Sequence, residues 1–297
     1  MKKSVSLLLA GLMLCGALTG CGGNNSTAEN TDSQTAESTT GTSGAIHVVS
    51  REDGSGTRGA FVELTGVEDD NGDNTTVEAE IANRTDAVLT TVAGNEAAIG
   101  YISLGSLNET VKAVTVDGVE ATVDNVKSGD YKLSRPFNIA TKGEPTGVAA
   151  DFINFIMSAD GQAIVEEEGY ITVNDAAEAF TSDGSSGQIA VGGSSSVSPV
   201  MEKLIEAYKA VNPNAQIELQ TSDSTSGMTG AMDGTFAIGM ASRELKDEEA
   251  AELNGQAIAM DGIAVIVNNA NTVENLAMDQ IRSIYVGETT DWADVAA

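Results

Sequence analysis

The chain has 297 residues, 41% of them hydrophobic, 20% charged and only 4% aromatic. That length accommodates one large or two ordinary domains with ample core, and the composition is that of a globular protein. Its 15 Lys and Arg against 44 Asp and Glu give a net charge of −29, which argues against nucleic acid and anionic membrane surfaces as partners.

Lys2 and Lys3 precede an apolar run over 5–18. This is the pattern of a secretory signal and is too short to span a membrane. Leu18-Thr19-Gly20-Cys21 matches a bacterial lipobox. It predicts a signal peptide over 1–20, cleavage before Cys21 and lipidation of the Cys21 sulfur, hence anchoring to the extracytoplasmic face of the cell membrane through lipid alone. Loss of residues 1–20 removes two Lys and no acid, leaving 13 basic and 44 acidic residues, a net of −31. The other cysteine, Cys15, lies inside the signal, so the mature chain has no thiol pair and must be held by its core. Residues 22–45 are Gly, Asn, Ser, Thr and acids with almost nothing to bury. They read as a disordered tether with an average reach of roughly 25–30 Å.

From residue 46 strand and helix patterns alternate. Strands are expected over 46–49, 97–102, 111–116, 189–191, 217–219, 237–240 and 263–267. Helices are expected from 59 to 64 and over 86–93, 148–157, 159–166, 199–211 and 278–285. The helix at 199–211 has apolar residues at 200, 201, 204, 205, 208 and 211, a period of 3.6, and opens on Pro199. Residues 181–188 are a second Gly- and Ser-rich stretch. Strands separated by helices predict an α/β fold with mostly parallel sheets.

Three loops share one design and each is expected to open a helix: Asp53-Gly54-Ser55-Gly56-Thr57, Gly193-Ser194-Ser195-Ser196 and Ser222-Asp223-Ser224-Thr225-Ser226-Gly227. A helix N-terminus offers unpaired N–H groups and about half a positive charge. Glycine allows close approach, and Ser and Thr add hydroxyl donors. Facing one point, such termini would cage an oxyanion, with Arg51 adding a full charge and a fork of donors. Other readings are weaker. Gly54-Ser55-Gly56-Thr57-Arg58-Gly59 satisfies G-x-G-x-x-G, but a polar insert separates it from its strand. A surface phosphoester hydrolase would need a base, and His47 is the only histidine. Asp69-Asp70-Asn71-Gly72-Asp73-Asn74 reads as an acidic turn rather than a calcium loop, since its sixth position is Asn74. No cofactor and no metal is expected.

The Arg51–Thr57 stretch and the Ser-rich loop after Gly192 resemble the anion loops of phosphate-binding proteins of Pst-type ABC importers, over nearly all of 46–297. In that family the two loops come in the opposite order, so the chain resembles a circular permutant. The resemblance implies a two-lobed periplasmic-binding-protein fold of type II, one lobe assembled from 46–103 and 267–297, the other continuous over 104–266. Residues 174–188 would join the family's usual termini. It implies a monomer that captures inorganic phosphate and delivers it to permease subunits without a catalytic step; another tetrahedral oxyanion, or a sensing role, is the alternative. Carried over by position, the phosphate-binding residues are Arg51, Ser55, Gly56, Thr57, Ser195, Ser196, Ser224 and Ser242, with Asp53 pinning the Arg51 guanidinium. The chain departs from the pattern at Ser242, where many members place an Asp that accepts a proton from the ligand. Either selectivity over sulfate is weaker here, or Asp223 or Glu244 supplies the acceptor. The neighbouring Arg243 could add positive charge or serve in an ion pair.

Overall fold

The computed structural model describes residues 42–295; the signal, the lipobox and the tether as far as 41 lie outside them. The last residues of the expected tether are held to the body. Thr42 N donates to Thr272 Oγ1 at 2.6 Å, Gly44 N donates to Asp291 Oδ1 at 3.1 Å, and Ala45 bridges to Asp291.

The first stretch runs β1 (His47–Arg51), α1 (Gly56–Thr65), a short hairpin of β2 (Glu68–Asp69) and β3 (Gly72–Asp73), β4 (Glu80–Ala82), α2 (Thr85–Gly94) and β5 (Ala98–Ser103). The expected acidic turn is the hairpin bend. A 3-10 turn, Leu104–Ser106, leads to β6 (Val111–Ala113), β7 (Thr115–Val116) and α3 (Val123–Ser128). Then come β8 (Ser134–Thr141), α4 (Val148–Met157), α5 (Ala159–Glu167), β9 (Gly187–Ser194), α6 (Ser198–Val211), β10 (Ala215–Ser222), α7 (Ser224–Asp233), β11 (Ile238–Ala241) and α8 (Asp247–Ala250). The chain closes with β12 (Asn254–Asn268), β13 (Asn275–Leu276), α9 (Met278–Tyr285) and α10 (Trp292–Val295).

One sheet runs in the order β10-β9-β11-β8-β12-β5-β1-β4, with β6 also on β12. It is mixed rather than mostly parallel. β9, β10 and β11 pair in parallel, as do β1, β4 and β5, but β8 and β12 run against every neighbour. The reason is β12. At about 3.3 Å per residue it is roughly 50 Å long, and it links the two ends of the sheet as one unbroken strand rather than through a helical crossover. Residues 254–262 pair with β8, and from Ile263 the partner becomes β5.

Side-chain alternation along β12 builds two cores on opposite faces. Ile263, Val265 and Val267 join Phe61, Tyr101, Tyr285 and Trp292. Ala264 and Ile266 join Val49, Val88 and Val92 under α2. Val114, Val116, Val126, Tyr131 and Leu133 belong to the first of these cores. The other end of the sheet has its own core, in which Phe137 and Val191 pack against Phe152, Val165, Leu204 and Tyr208 of α4, α5 and α6. The polar stretch before β9 is coil but is pinned. Asp151, 2% exposed, accepts from Ser182 Oγ, Asp183 N, Tyr208 Oη and Asn212 Nδ2. Phe180 adds an edge contact to Phe155.

Candidate functional site

β1 ends where the site begins. Burial pushes the Tyr101 hydroxyl up to about 12; it bonds Ser50 Oγ at 2.9 Å and accepts from Arg51 N at 3.2 Å, which fixes the strand end. The Arg51 side chain, 2% exposed, therefore turns inward. Its Nε and Nη2 donate to the two oxygens of Glu52, both at 2.8 Å. Asp53 does not hold it, contrary to the expectation from sequence. The Asp53 side chain points to solvent and pairs with Arg58, while the longer Glu52 folds back onto its neighbour's guanidinium. Arg51 Nη2 also donates to Ser195 Oγ at 3.1 Å, and Nη1 to Thr85 Oγ1 at 3.4 Å.

Helix starts supply most of the rest. Ser55 caps α1, and its Oγ accepts from Arg58 N; Asp223 caps α7 through Ser226 N. α6 begins at Ser198, so Ser194 closes β9 and Ser195 and Ser196 lie on the turn between strand and helix. Gly193, at φ 137° with Met240 O 2.3 Å from where a Cβ would sit, allows that turn to lie against β11.

These pieces meet in one buried hydroxyl network. Thr57 Oγ1 lies 2.8 Å from Ser196 Oγ and 3.3 Å from Ser242 Oγ. Ser194 Oγ donates to Ser242 Oγ at 3.0 Å, and Ser242 N donates to Ser224 Oγ at 3.1 Å. Thr57, Ser196, Ser224 and Ser242 are at most 1% exposed. Gly56 has no hydroxyl to give, but its Cα closes on the network, because a Cβ there would sit 2.3 Å from Ser224 Oγ. Thr225 N bonds Gly54 O at 3.1 Å, tying α7 to the turn before α1. Thus Arg51, Thr57, Ser195, Ser196, Ser224 and Ser242 come together, Ser55 serves as a helix cap beside them, and Asp53 stands apart. His47 bonds Glu80 of β4 at 2.8 Å and makes no bond to the network.

Sequence reasoning missed several participants. Thr85, the first residue of α2, lies 3.3 Å from both Ser195 Oγ and Ser196 Oγ. Its signal was the helical pattern that begins one residue later. Arg135, 3% exposed, reaches Thr57 Oγ1 at 3.1 Å from the start of β8. It also pairs with the fully buried Asp261. Burial raises the Asp261 carboxyl, and the Arg135 guanidinium, which proteins do not deprotonate, opposes that shift. Arg243 is likewise buried and pairs with both oxygens of Glu249, at 2.7 and 2.8 Å. Grooves of about 400 Å³ beside Thr85 and Ser195 and about 570 Å³ beside Arg135 and Arg243 flank the network. What the arrangement offers chemically is a buried cluster of hydroxyl and N–H donors.

A family model described as a PBP superfamily domain matches residues 25–160 and 178–297. The chain belongs to that superfamily. Among PBP-superfamily proteins it is 48% identical over 302 residues to phosphate-binding protein PstS 2 of Streptococcus agalactiae serotype V, covering 99% of this chain and 98% of that one. It is 44% identical over 297 residues to PstS 2 of Streptococcus pneumoniae serotype 4, covering 98% and 99%. The crystal structure of a phosphate-binding protein of a phosphate ABC transporter from S. pneumoniae TIGR4 superposes with a TM-score of 0.69 at 46% identity, over 85% of this chain and all of that one. The mixed α/β sheet is therefore a periplasmic-binding-protein fold.

Proposed function

We propose that this protein is an extracytoplasmic solute-binding protein that captures inorganic phosphate and delivers it to the permease of an ABC importer. The observation that carries the reading is the buried cage itself. Arg51, Thr57 and Thr85 from one end of the sheet meet Ser195, Ser196, Ser224 and Ser242 from the other. Such oriented N–H and O–H groups hold an oxyanion without a basic surface, and the near full-length PstS 2 relatives are named for phosphate. Ser55 and the Gly56 backbone complete the contacts.

The two lobes divide at the partner switch of β12 and at the boundary between the cores, giving 46–133 with 263–295 against 134–262. We place the division there rather than at the 103/104 and 266/267 breaks that the family resemblance implies. Hinge closure at the two crossings buries the anion. The order of the segments is a circular permutation that the PstS 2 relatives share end to end, with the pinned coil before β9 as the joint. The protein acts as a monomer, with Cys21 carrying the lipid anchor; among the described residues no helix is long and apolar enough to cross a membrane. It has no catalytic step. Isothermal titration of the purified protein with phosphate tests the reading. One-to-one binding is the expected result, and a folded protein that binds no phosphate would overturn it.

A further inference from the structure

The network has a direction. Ser224 Oγ accepts from Ser242 N, Ser194 Oγ from Ser196 N, Ser55 Oγ from Arg58 N and Ser195 Oγ from Arg51 Nη2. A hydroxyl has a single hydrogen, and an N–H aimed at its oxygen turns that hydrogen to the opposite side. Thr57 is treated in the same way, but its donor comes from outside the anion loops. Arg135 Nη2 donates to Thr57 Oγ1 at 3.1 Å.

The guanidinium is held to this task from every other side. Nε donates to Ser242 O at 3.2 Å, and Nη1 donates to Gly262 O at 3.0 Å and to Asp261. Asp261 is itself enclosed and accepts from Gly105 N. The planar fork thus ties β8 to β12 and to Ser242, just past β11, and leaves its remaining arm for α1 across the cleft. Among the described residues Thr57 in turn has only Ser196 Oγ and Ser242 Oγ as partners for its hydrogen, and both are cage groups.

We propose that Arg135 is a positioning residue for the anion, which fixes the Thr57 hydroxyl as a donor to the bound oxyanion by occupying its lone pair. The proposal rests on the phosphate reading above. Arg135 acts through Thr57, so its effect must depend on the Thr57 hydroxyl.

A double-mutant cycle on phosphate affinity tests this. Arg135→Lys keeps a cation beside Asp261 but loses the fork; Thr57→Val keeps shape and loses the hydroxyl. Each alone is expected to weaken phosphate binding at least tenfold. In the Thr57→Val background, Arg135→Lys is expected to add less than about twofold, and in a Thr57→Ser background its full effect returns. A purely structural role would lower affinity by the same factor in every background, and that additivity would overturn the proposal, as would unchanged affinity in Arg135→Lys. If Arg135→Lys does not fold, Arg135→Gln with Asp261→Asn removes both charges together and enters the same cycle. A wild-type protein that binds no phosphate overturns the phosphate reading and the proposal with it; a binding wild type with additive losses overturns the proposal alone.

Discussion

Gly56→Ala places a single methyl at the junction of the two lobes. The new Cβ would lie 2.3 Å from Ser224 Oγ, 2.9 Å from Ser242 Oγ and 3.1 Å from Arg243 Cγ, all on the opposite side of the cleft in the lobe assignment given above. Gly56 starts α1 and has no positive φ, so the backbone accepts alanine without strain. The methyl collides only when the cleft is closed. Overpacking of this kind costs about 1–3 kcal/mol, and displacing Ser224 from Ser242 N removes a hydrogen bond worth about 1 kcal/mol. Together they penalise the closed state by at least about 2 kcal/mol, which corresponds to at least roughly 30-fold weaker phosphate binding at about 1.4 kcal/mol per decade. Each lobe keeps its own core, so the melting temperature without ligand should hardly move. The control is Gly59→Ala one turn on, whose Cβ would meet only Arg243 Cδ at 3.8 Å, an ordinary contact; it should bind normally and be slightly more stable. Titration calorimetry with thermal melts reads both quantities. Wild-type affinity in Gly56→Ala would show that the closed arrangement is not the one that holds the anion.

Other perturbations probe the charges. Arg51→Ala should weaken phosphate binding at least tenfold and lower the melting temperature, because Glu52 loses both its donors; adding Glu52→Gln should restore stability but not affinity, and recovery of binding in the pair would refute the assignment. Ser242→Asp would set an acceptor beside Ser194 Oγ and Thr57 Oγ1. A carboxylate there needs a proton from its ligand, so competition titrations should show sulfate losing at least tenfold relative to phosphate, and equal losses would remove position 242 as a reader of protonation. At Asp151 burial pushes the carboxyl up, but the bonds from Asp183 N, Ser182, Tyr208 and Asn212 outweigh it and hold it below the ordinary value. The ionised form therefore stabilises the fold above about pH 4, and that contribution is lost as pH falls through the lowered value. Melts of Asp151→Asn should show a deficit at pH 7 that narrows below about pH 4, and a constant deficit would contradict the sign.

Regular elements with a period or a capping residue were legible in the sequence. The helix at 278–285 has the expected limits, and α4, α5 and α6 agree within a residue. β8 left no signal, because Ser134-Arg135-Pro136-Phe137-Asn138 shows no alternation of apolar and polar residues. Arg135 and Asn138 are buried there through partners supplied by β12 and by Ser242 and Arg243, just past β11. The first half of β12 was missed for a related reason: Gly255 and Gln256 are exposed, and the strand exists because β8 pairs with it. The anion loops were legible as motifs, but the partner of Arg51 was not. Glu52 and Asp53 are equivalent on paper, and only the fixed end of β1 decides which one faces the guanidinium.

Binding an anion in a chain of net charge −29 requires that the attraction be local. Three buried guanidinium groups surround the hydroxyl network, yet each is matched by a carboxylate: Arg51 by Glu52, Arg135 by Asp261 and Arg243 by Glu249. Buried and tied to these carboxyl groups, the arginines do not form an exposed cationic patch. Their contribution is orientation. The arms left over after each pairing go to Ser195 and Thr85, to Thr57 and to Thr225, and they set which way those hydroxyl hydrogens point. The electrostatic gain then comes from dipoles already aligned in a buried site, where they act at low dielectric and need little reorganisation when the ligand arrives. The carboxylates are as necessary as the arginines, because removing one partner of a buried pair leaves an uncompensated charge at a cost of about 3–5 kcal/mol.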